Sequence, residues 1–145
     1  ALESNQAIEI RSPKAIRPWQ HVLEPLSGYL LLAQRAFENP TKYAEAWNFG
    51  PKQDSIASVW EVAQMIAKDY GKGTIKDVSD KNNVHEANLL MLDISKAKFR
   101  LQWEPNLDVN ETIALTVDWY KRYKSEPVYE LCMEQIRHYE TSMKK

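Results

Sequence analysis

An arginine, a glutamine and a histidine stand close together in Arg17-Pro18-Trp19-Gln20-His21, immediately ahead of a strongly apolar segment. A guanidinium offers a rigid planar fork of donors that matches phosphate or carboxylate. A glutamine amide both donates and accepts, and an imidazole near neutral pH does the same. These residue types suit recognition of a polar, anionic ligand better than bond breaking. If residues 16–22 run extended, period-two alternation places Arg17, Trp19 and His21 on one side and Ile16, Gln20 and Val22 on the other. Pro18 has no N–H for a ladder, so the segment is an edge strand or an irregular extended loop. Arg17 also fits an ordinary surface pairing with Glu24.

A second polar cluster, Asn83-Val84-His85-Glu86-Ala87-Asn88, precedes an apolar run. Loops at strand ends commonly carry binding groups, which makes His85 and Glu86 candidates; the two residues equally suit local pairing or capping. His21, His85 and His138 lack helical metal-ligand spacing and no cysteine pair accompanies them, so no zinc site is expected. Gly71-Lys72-Gly73 has neither a third glycine nor a Gly-Lys-Ser/Thr continuation, and so does not make a phosphate loop.

The elements that must position these residues are legible from periodicity. Residues 7–12 alternate as a half-buried strand and Ser12-Pro13 reads as a turn. Pro25 suits a first helical position, and Leu26, Tyr29, Leu30, Leu31, Leu32, Ala33, Ala36 and Phe37 leave little polar face, predicting a buried helix that Asn39-Pro40 terminates. Residues 46–51 form a short apolar run closed by Gly50-Pro51, as a buried strand would. Ser58 and Glu61 spell a capping box, followed by apolar residues at helical spacing to Tyr70 and by Gly71. Residues 75–78 and 89–92 read as short strands. Asp93 or Ser95 caps a short helix through Leu101, with Ala97, Leu101 and Phe99 inward and Trp103 packing its end. Asp108 and Glu111 form another capping box, before a helix face of Ile113, Thr116, Val117, Tyr120 and Tyr123. After Pro127, the residues Val128, Leu131, Cys132, Ile136, Tyr139 and Met143 form the stripe of a last amphipathic helix.

The 145 residues allow one domain or one large piece of a domain, short for a cofactor-dependent enzyme. Nineteen basic and twenty acidic residues leave a net charge of −1, which argues against nucleic acid as an electrostatic partner. The single cysteine, Cys132, excludes an internal disulfide and reads as core. No secretory leader or apolar run of membrane length appears, so no membrane partner and a reducing cytoplasm are expected. The chain opens on Ala1, which fits either initiator removal or a cut.

The stretch Arg17-Pro18-Trp19-Gln20-His21-Val22-Leu23-Glu24-Pro25-Leu26-Ser27-Gly28-Tyr29-Leu30 closely resembles the carboxyl-terminal half of CDP-glucose 4,6-dehydratases, within the extended short-chain dehydrogenase/reductase superfamily. The likeness continues through Trp47-Asn48-Phe49-Gly50-Pro51, His85-Glu86-Ala87-Asn88, Leu92-Asp93-Ile94-Ser95-Lys96-Ala97-Lys98 and Leu101-Gln102-Trp103-Glu104-Pro105. It implies an α/β fold: residues 1–145 would be the carboxyl-terminal substrate-binding portion of a Rossmann-like enzyme that lacks its dinucleotide-binding half. The implied ligand is a CDP-sugar nucleotide. Arg17 would be a pyrophosphate clamp, with Gln20, His21, His85 and Glu86 as further substrate contacts and His85 standing where many relatives carry a second phosphate-binding arginine. The implied reaction oxidises the sugar at C4 through NAD, eliminates water across C5 and C6, and re-reduces C6.

Such enzymes resemble one another in using a Tyr-x-x-x-Lys pair. Tyr120 and Lys124 have that spacing, but they end a helix rich in basic residues with no cofactor strand before it, and read as a coincidence. This chain alone is therefore expected to bind no NAD and to be inactive. It is expected to need an amino-terminal Rossmann half, and to self-associate through the apolar surface that half would cover. The rival readings are a portion of another sugar-nucleotide epimerase or dehydratase, and a non-catalytic binding or interaction module.

Overall fold

The computed structural model describes residues 1–52, 55–80 and 89–143. In chain order the elements are β1 (Ile8–Ile10), α1 (Leu23–Glu38), the one-turn α2 (Pro40–Tyr43), α3 (Val59–Tyr70) and β2 (Ile75–Asp77), then a π-helical turn (Ala97–Leu101), α4 (Val109–Arg122) and α5 (Val128–Ser142). β1 and β2 pair in parallel, with Ile8 opposite Ile75 and Ile10 opposite Asp77, and the connection between them runs through α1, α2 and α3.

Local chemistry sets most of the boundaries. Ser58 and Asp108 accept the N–H of Glu61 and Glu111, whose carboxylates reach back to the cap N–H groups, so both predicted capping boxes open their helices. Gly71, at φ 86°, ends α3 in the left-handed region that glycine enters without a Cβ penalty. Pro25 falls at the third position of α1, since the helix starts at Leu23. Asn39 leaves that helix in extended geometry and its side chain accepts from the N–H of Lys42, so the residue that stops α1 also starts α2.

Two apolar clusters make the core. Phe49, Ala97, Leu101 and Trp103 pack with Leu31, Leu32 and Trp47. Ala57, Val62, Ile113 and Val117 pack with Trp19, Met65 and Ile66, joining α3 to α4. Gly28 lets α1 lie on the first cluster, because a Cβ there would meet the Phe49 ring at 2.3 Å. Between the clusters sits Glu24, 1% exposed. Its carboxylate accepts from the backbone N–H of Asn106 (2.8 Å) and Leu107 (2.5 Å) and from the Tyr139 hydroxyl (2.8 Å). Burial, together with the neighbouring Glu24 carboxylate, pushes the Tyr139 phenol well above its usual range, so it remains a donor. Ser27 extends the network, donating to the Glu24 carbonyl oxygen and accepting from the Trp103 indole N–H at 2.9 Å.

Several expectations are overturned. α1 is not buried all round: Leu26, Tyr29, Leu30 and Phe37 face outward, Leu30 at 74% and Phe37 at 92% exposure. Apolar content alone did not reveal that one side of the helix finds no cover among the described residues. The segment 46–51 buries Phe49 and Gly50 but forms no ladder, and 89–92 contributes only a single bridge from Leu89 to Ile16. A strand exists only beside a partner edge; among the described residues 46–51 has none, and 89–92 meets one only at Ile16. Phe99 is 78% exposed, because the wider π turn rotates it away while Ala97 and Leu101 stay inside. Tyr120, Val128 and Met143 likewise point outward from their helices.

The segment before Phe49 is held by charge. Glu45 pairs with Arg100 at 3.0 Å and with Lys96, and both cations lie over the Trp47 ring at 5.3 Å and 4.6 Å. The Arg100 guanidinium and the Lys96 ammonium hold the Glu45 carboxyl down to about 2.

Two expected outcomes follow from this framework. Glu24→Ala strands two backbone N–H groups and a hydroxyl, each costing about 1–3 kcal/mol when buried and unpaired, whereas Tyr139→Phe removes one donor only. In urea denaturation the Glu24→Ala midpoint drops well below that of Tyr139→Phe, and equal midpoints would remove Glu24 as the organising contact. For Glu45 the folded value lies below the ordinary 4.5, so its pairing stabilises above that value and is lost as pH falls toward about 2. The melting-temperature gap between wild type and Glu45→Gln should be open near neutral pH and closed at about pH 2; a gap that persists there contradicts the pairing.

Candidate functional site

The strap from residue 12 to residue 22 is tied down at its start. The Ala15 N–H donates to the Ser12 carbonyl oxygen across the predicted turn, and the carbonyls of Pro13 and Ala15 accept the N–H groups of Trp60 and Val59. The first turn of α3, which has no partners of its own for these donors, is thereby capped by the strap. Ile16 bridges to Ser58 on one side and Leu89 on the other. Beyond it the backbone is irregular, because the Trp19 N–H bonds the Arg17 carbonyl and closes a tight turn around Pro18.

That turn breaks the expected alternation. Arg17 and Trp19 do share a groove of about 420 Å³ along β1, floored by Val59, Val62, Ala63 and Ile66 of α3. The Arg17 guanidinium donates to the Ile16 carbonyl at 2.9 Å, and the Trp19 indole N–H to the Ala57 carbonyl at 3.0 Å. His21 is not on that side. It is 5% exposed and lines a different cavity of about 540 Å³, beside Leu26, Trp119 and Ile136. Its Nδ1 accepts from the Leu23 N–H at 3.4 Å, and burial lowers its pKa, which favours the neutral ring with the proton on Nε2.

Gln20 lines this second cavity as well. Its amide N–H donates to the Phe49 carbonyl at 3.0 Å, while its Oε1 is buried with no hydrogen-bond partner among the described residues. The structure therefore brings Gln20 and His21 together and separates both from the groove of Arg17. The alternative pairing of Arg17 with Glu24 is excluded, since that carboxylate is spent in the core on Asn106, Leu107 and Tyr139.

His85 and Glu86 lie outside the described residues. Tyr120 stacks edge-on against Trp119 and Tyr123, while Lys124, past the end of α4, pairs with Glu3 at 2.8 Å. Arg11, just before the strap, also lines the Arg17 groove and lies outside the Arg17–His21 motif. The signal was present: no acidic residue occurs from Arg11 to Leu23. The glycines do not fit a dinucleotide fingerprint, for Gly71 and Gly73 lie between a helix and a strand rather than between a strand and a helix. Among the described residues no His/Cys/Asp/Glu group is arranged to hold a metal, and no helix is long and apolar enough to cross a membrane.

No family model matches the chain. It is 41% identical, over 85% of its own length and 34% of the relative's, to the CDP-glucose 4,6-dehydratase of Salmonella typhimurium. In structure it resembles the dTDP-glucose 4,6-dehydratase of Bacillus anthracis solved with NAD (TM-score 0.65, 20% identity, 86% of this chain and 36% of that one). It also resembles the UDP-glucuronic acid 4-epimerase of Bacillus cereus solved with UDP-glucuronic acid and NAD (TM-score 0.67, 22% identity, 84% and 37%). The UDP-glucose 4-epimerase of Thermotoga maritima, solved with UDP-glucose, matches with a TM-score of 0.62 at 22% identity (86% and 38%). The chain thus spans little more than a third of the length of the proteins it matches. Its sequence is similar to one segment of a CDP-glucose 4,6-dehydratase, and its fold is similar to the corresponding part of solved sugar-nucleotide dehydratases and epimerases.

Proposed function

We propose that residues 1–145 form the sugar-nucleotide-binding portion of a larger, NAD-dependent CDP-glucose 4,6-dehydratase. The observation that carries this reading is the groove of Arg17. It runs along β1 and the first turns of α3, and it pairs a guanidinium with an indole and an apolar floor. A sugar nucleotide presents the complementary features: a charged diphosphate for the fork and a flat base and sugar for apolar walls. The 41% identity to a CDP-glucose enzyme supports CDP-glucose as that ligand.

Within this reading the chain binds and orients the sugar nucleotide and supplies no hydride chemistry. NAD belongs to an amino-terminal Rossmann half, because these glycines do not build its cradle. The outward face of α1, with Leu26, Tyr29 and Leu30, and the unladdered segment 46–51 offer that half a surface to cover and a strand to pair with. Gln20 and His21, at the edge of the same face, keep a role as substrate contacts only if closure brings the ligand across to them. His85 and Glu86 are retained as candidate contacts from the sequence.

Two measurements test the reading. In the complete enzyme, Arg17→Ala should weaken CDP-glucose binding roughly ten- to a hundredfold, as loss of a charge-assisted hydrogen bond does, and leave NAD affinity unchanged. Arg17→Lys should recover part of the loss, since it restores charge without the fork. Unchanged affinity at low salt in both variants would remove the clamp. For residues 1–145 alone, calorimetry should show no saturable NAD binding, and sedimentation should show association that rises with concentration. A strict monomer that binds NAD would contradict the assignment.

A further inference from the structure

A helix opens with N–H groups that have no partner inside it, and Val22, at the N-cap of α1, provides no side-chain acceptor. His21 supplies what Val22 lacks. Its carbonyl accepts the Glu24 N–H at 3.0 Å, and its ring Nδ1 accepts the Leu23 N–H at 3.4 Å. Pro25 brings no N–H, and the Leu26 N–H reaches back to the Val22 carbonyl as an ordinary helical bond. Leu23 thus depends on an imidazole where a helix commonly uses an Asp, Asn, Ser or Thr oxygen. A ring nitrogen stops accepting once it takes a proton. Burial opposes that proton, since His21 is 5% exposed and an imidazolium there loses its hydration. The positive end of α1 opposes it as well, and so does the Leu23 N–H that a protonated Nδ1 would face. The cavity beside the ring offers nothing to offset these costs: Tyr120 of α4 and Cys132 of α5 are the other titratable groups among its described lining residues, and no carboxylate lines it. Glu24, in the first turn of α1, has both carboxylate oxygens engaged by Asn106, Leu107 and Tyr139. Burial accordingly lowers the His21 pKa.

We propose that His21 is a protonation-gated cap of α1: as a neutral ring it closes the first turn, and on protonation it releases the Leu23 N–H and loosens the backbone at residues 21–23. The change is local, because Gln20 on one side stays bonded to the Phe49 carbonyl and Glu24 on the other to the core. It does not depend on what the groove of Arg17 binds. The folded ring holds a proton less readily than the unfolded one, so its stabilisation is full above the ordinary 6.5 and is lost as pH falls through the lower folded value.

The test is NMR on the full 145-residue chain, following the His21 ring nitrogens and the hydrogen exchange of the Leu23 amide from about pH 8 down through protonation of the ring. Neutral His21 should carry its proton on Nε2 and should titrate below the ordinary 6.5. Protection of the Leu23 amide should fall about fivefold or more in step with that titration, the loss expected of a helix cap. His21→Asn, whose amide oxygen accepts an N–H without titrating, should hold that protection level, and its urea midpoint should gain on that of wild type as pH falls. His138→Asn, at an exposed position of α5, should keep the wild-type pH profile. Leu23 protection that stays level while His21 protonates would overturn the gated cap, as would a ring that titrates at or above 6.5. Both readouts come from wild type, so they decide the matter if His21→Asn fails to fold.

Discussion

A carboxylate out of water is held only by donors that replace its hydration, and Glu24 has three: two backbone N–H groups and a phenol. They come from the segment entering α4 and from α5, while Glu24 itself stands in the first turn of α1. One side chain thus joins three parts of the chain that are far apart in sequence. Ser27, one turn further along α1, carries the same network to Trp103 and hence to the cluster around Phe49. The start of α1 cannot move without leaving buried donors unpaired, and the strap that precedes it is fixed at that end by consequence.

The other end of the strap is fixed by α3, whose first N–H groups are satisfied by the carbonyls of Pro13 and Ala15. Between these anchors the turn at Pro18 sends successive polar residues to different places. Arg17 goes to the groove over α3, and Gln20 and His21 to the cavity between α1, α4 and α5. An apolar floor beneath a guanidinium raises the value of each charge-assisted bond, since fewer waters compete for the fork.

The outward side of α1 shows the opposite balance. Gly28 and Phe49 join its inner side to the core, whereas Leu30 and Phe37 stand exposed among the described residues. An exposed apolar helix face of this kind is surface that a partner commonly covers. Glu45, paired with Lys96 and Arg100, holds the chain that leads into Phe49 near the π-helical turn.

Local signals were decided by the sequence itself. The capping boxes at Ser58 and Asp108, the glycine stop at Gly71 and the Ser12-Pro13 turn depend on residues near in sequence, and they appear where the chemistry of those residues put them. The resemblance to CDP-glucose 4,6-dehydratases was legible too, and the chain is 41% identical to one of them over 85% of its length. What required tertiary structure was anything set by a distant partner. The destination of Glu24 depended on donors more than eighty residues away, at Asn106, Leu107 and Tyr139. The separation of His21 from Arg17 depended on a hydrogen bond across Pro18 that overrode period-two alternation. The exposure of α1 and the absence of strands at 46–51 and 89–92 depended on which surfaces lie alongside them, and apolar periodicity reports that a face seeks cover without saying what supplies it.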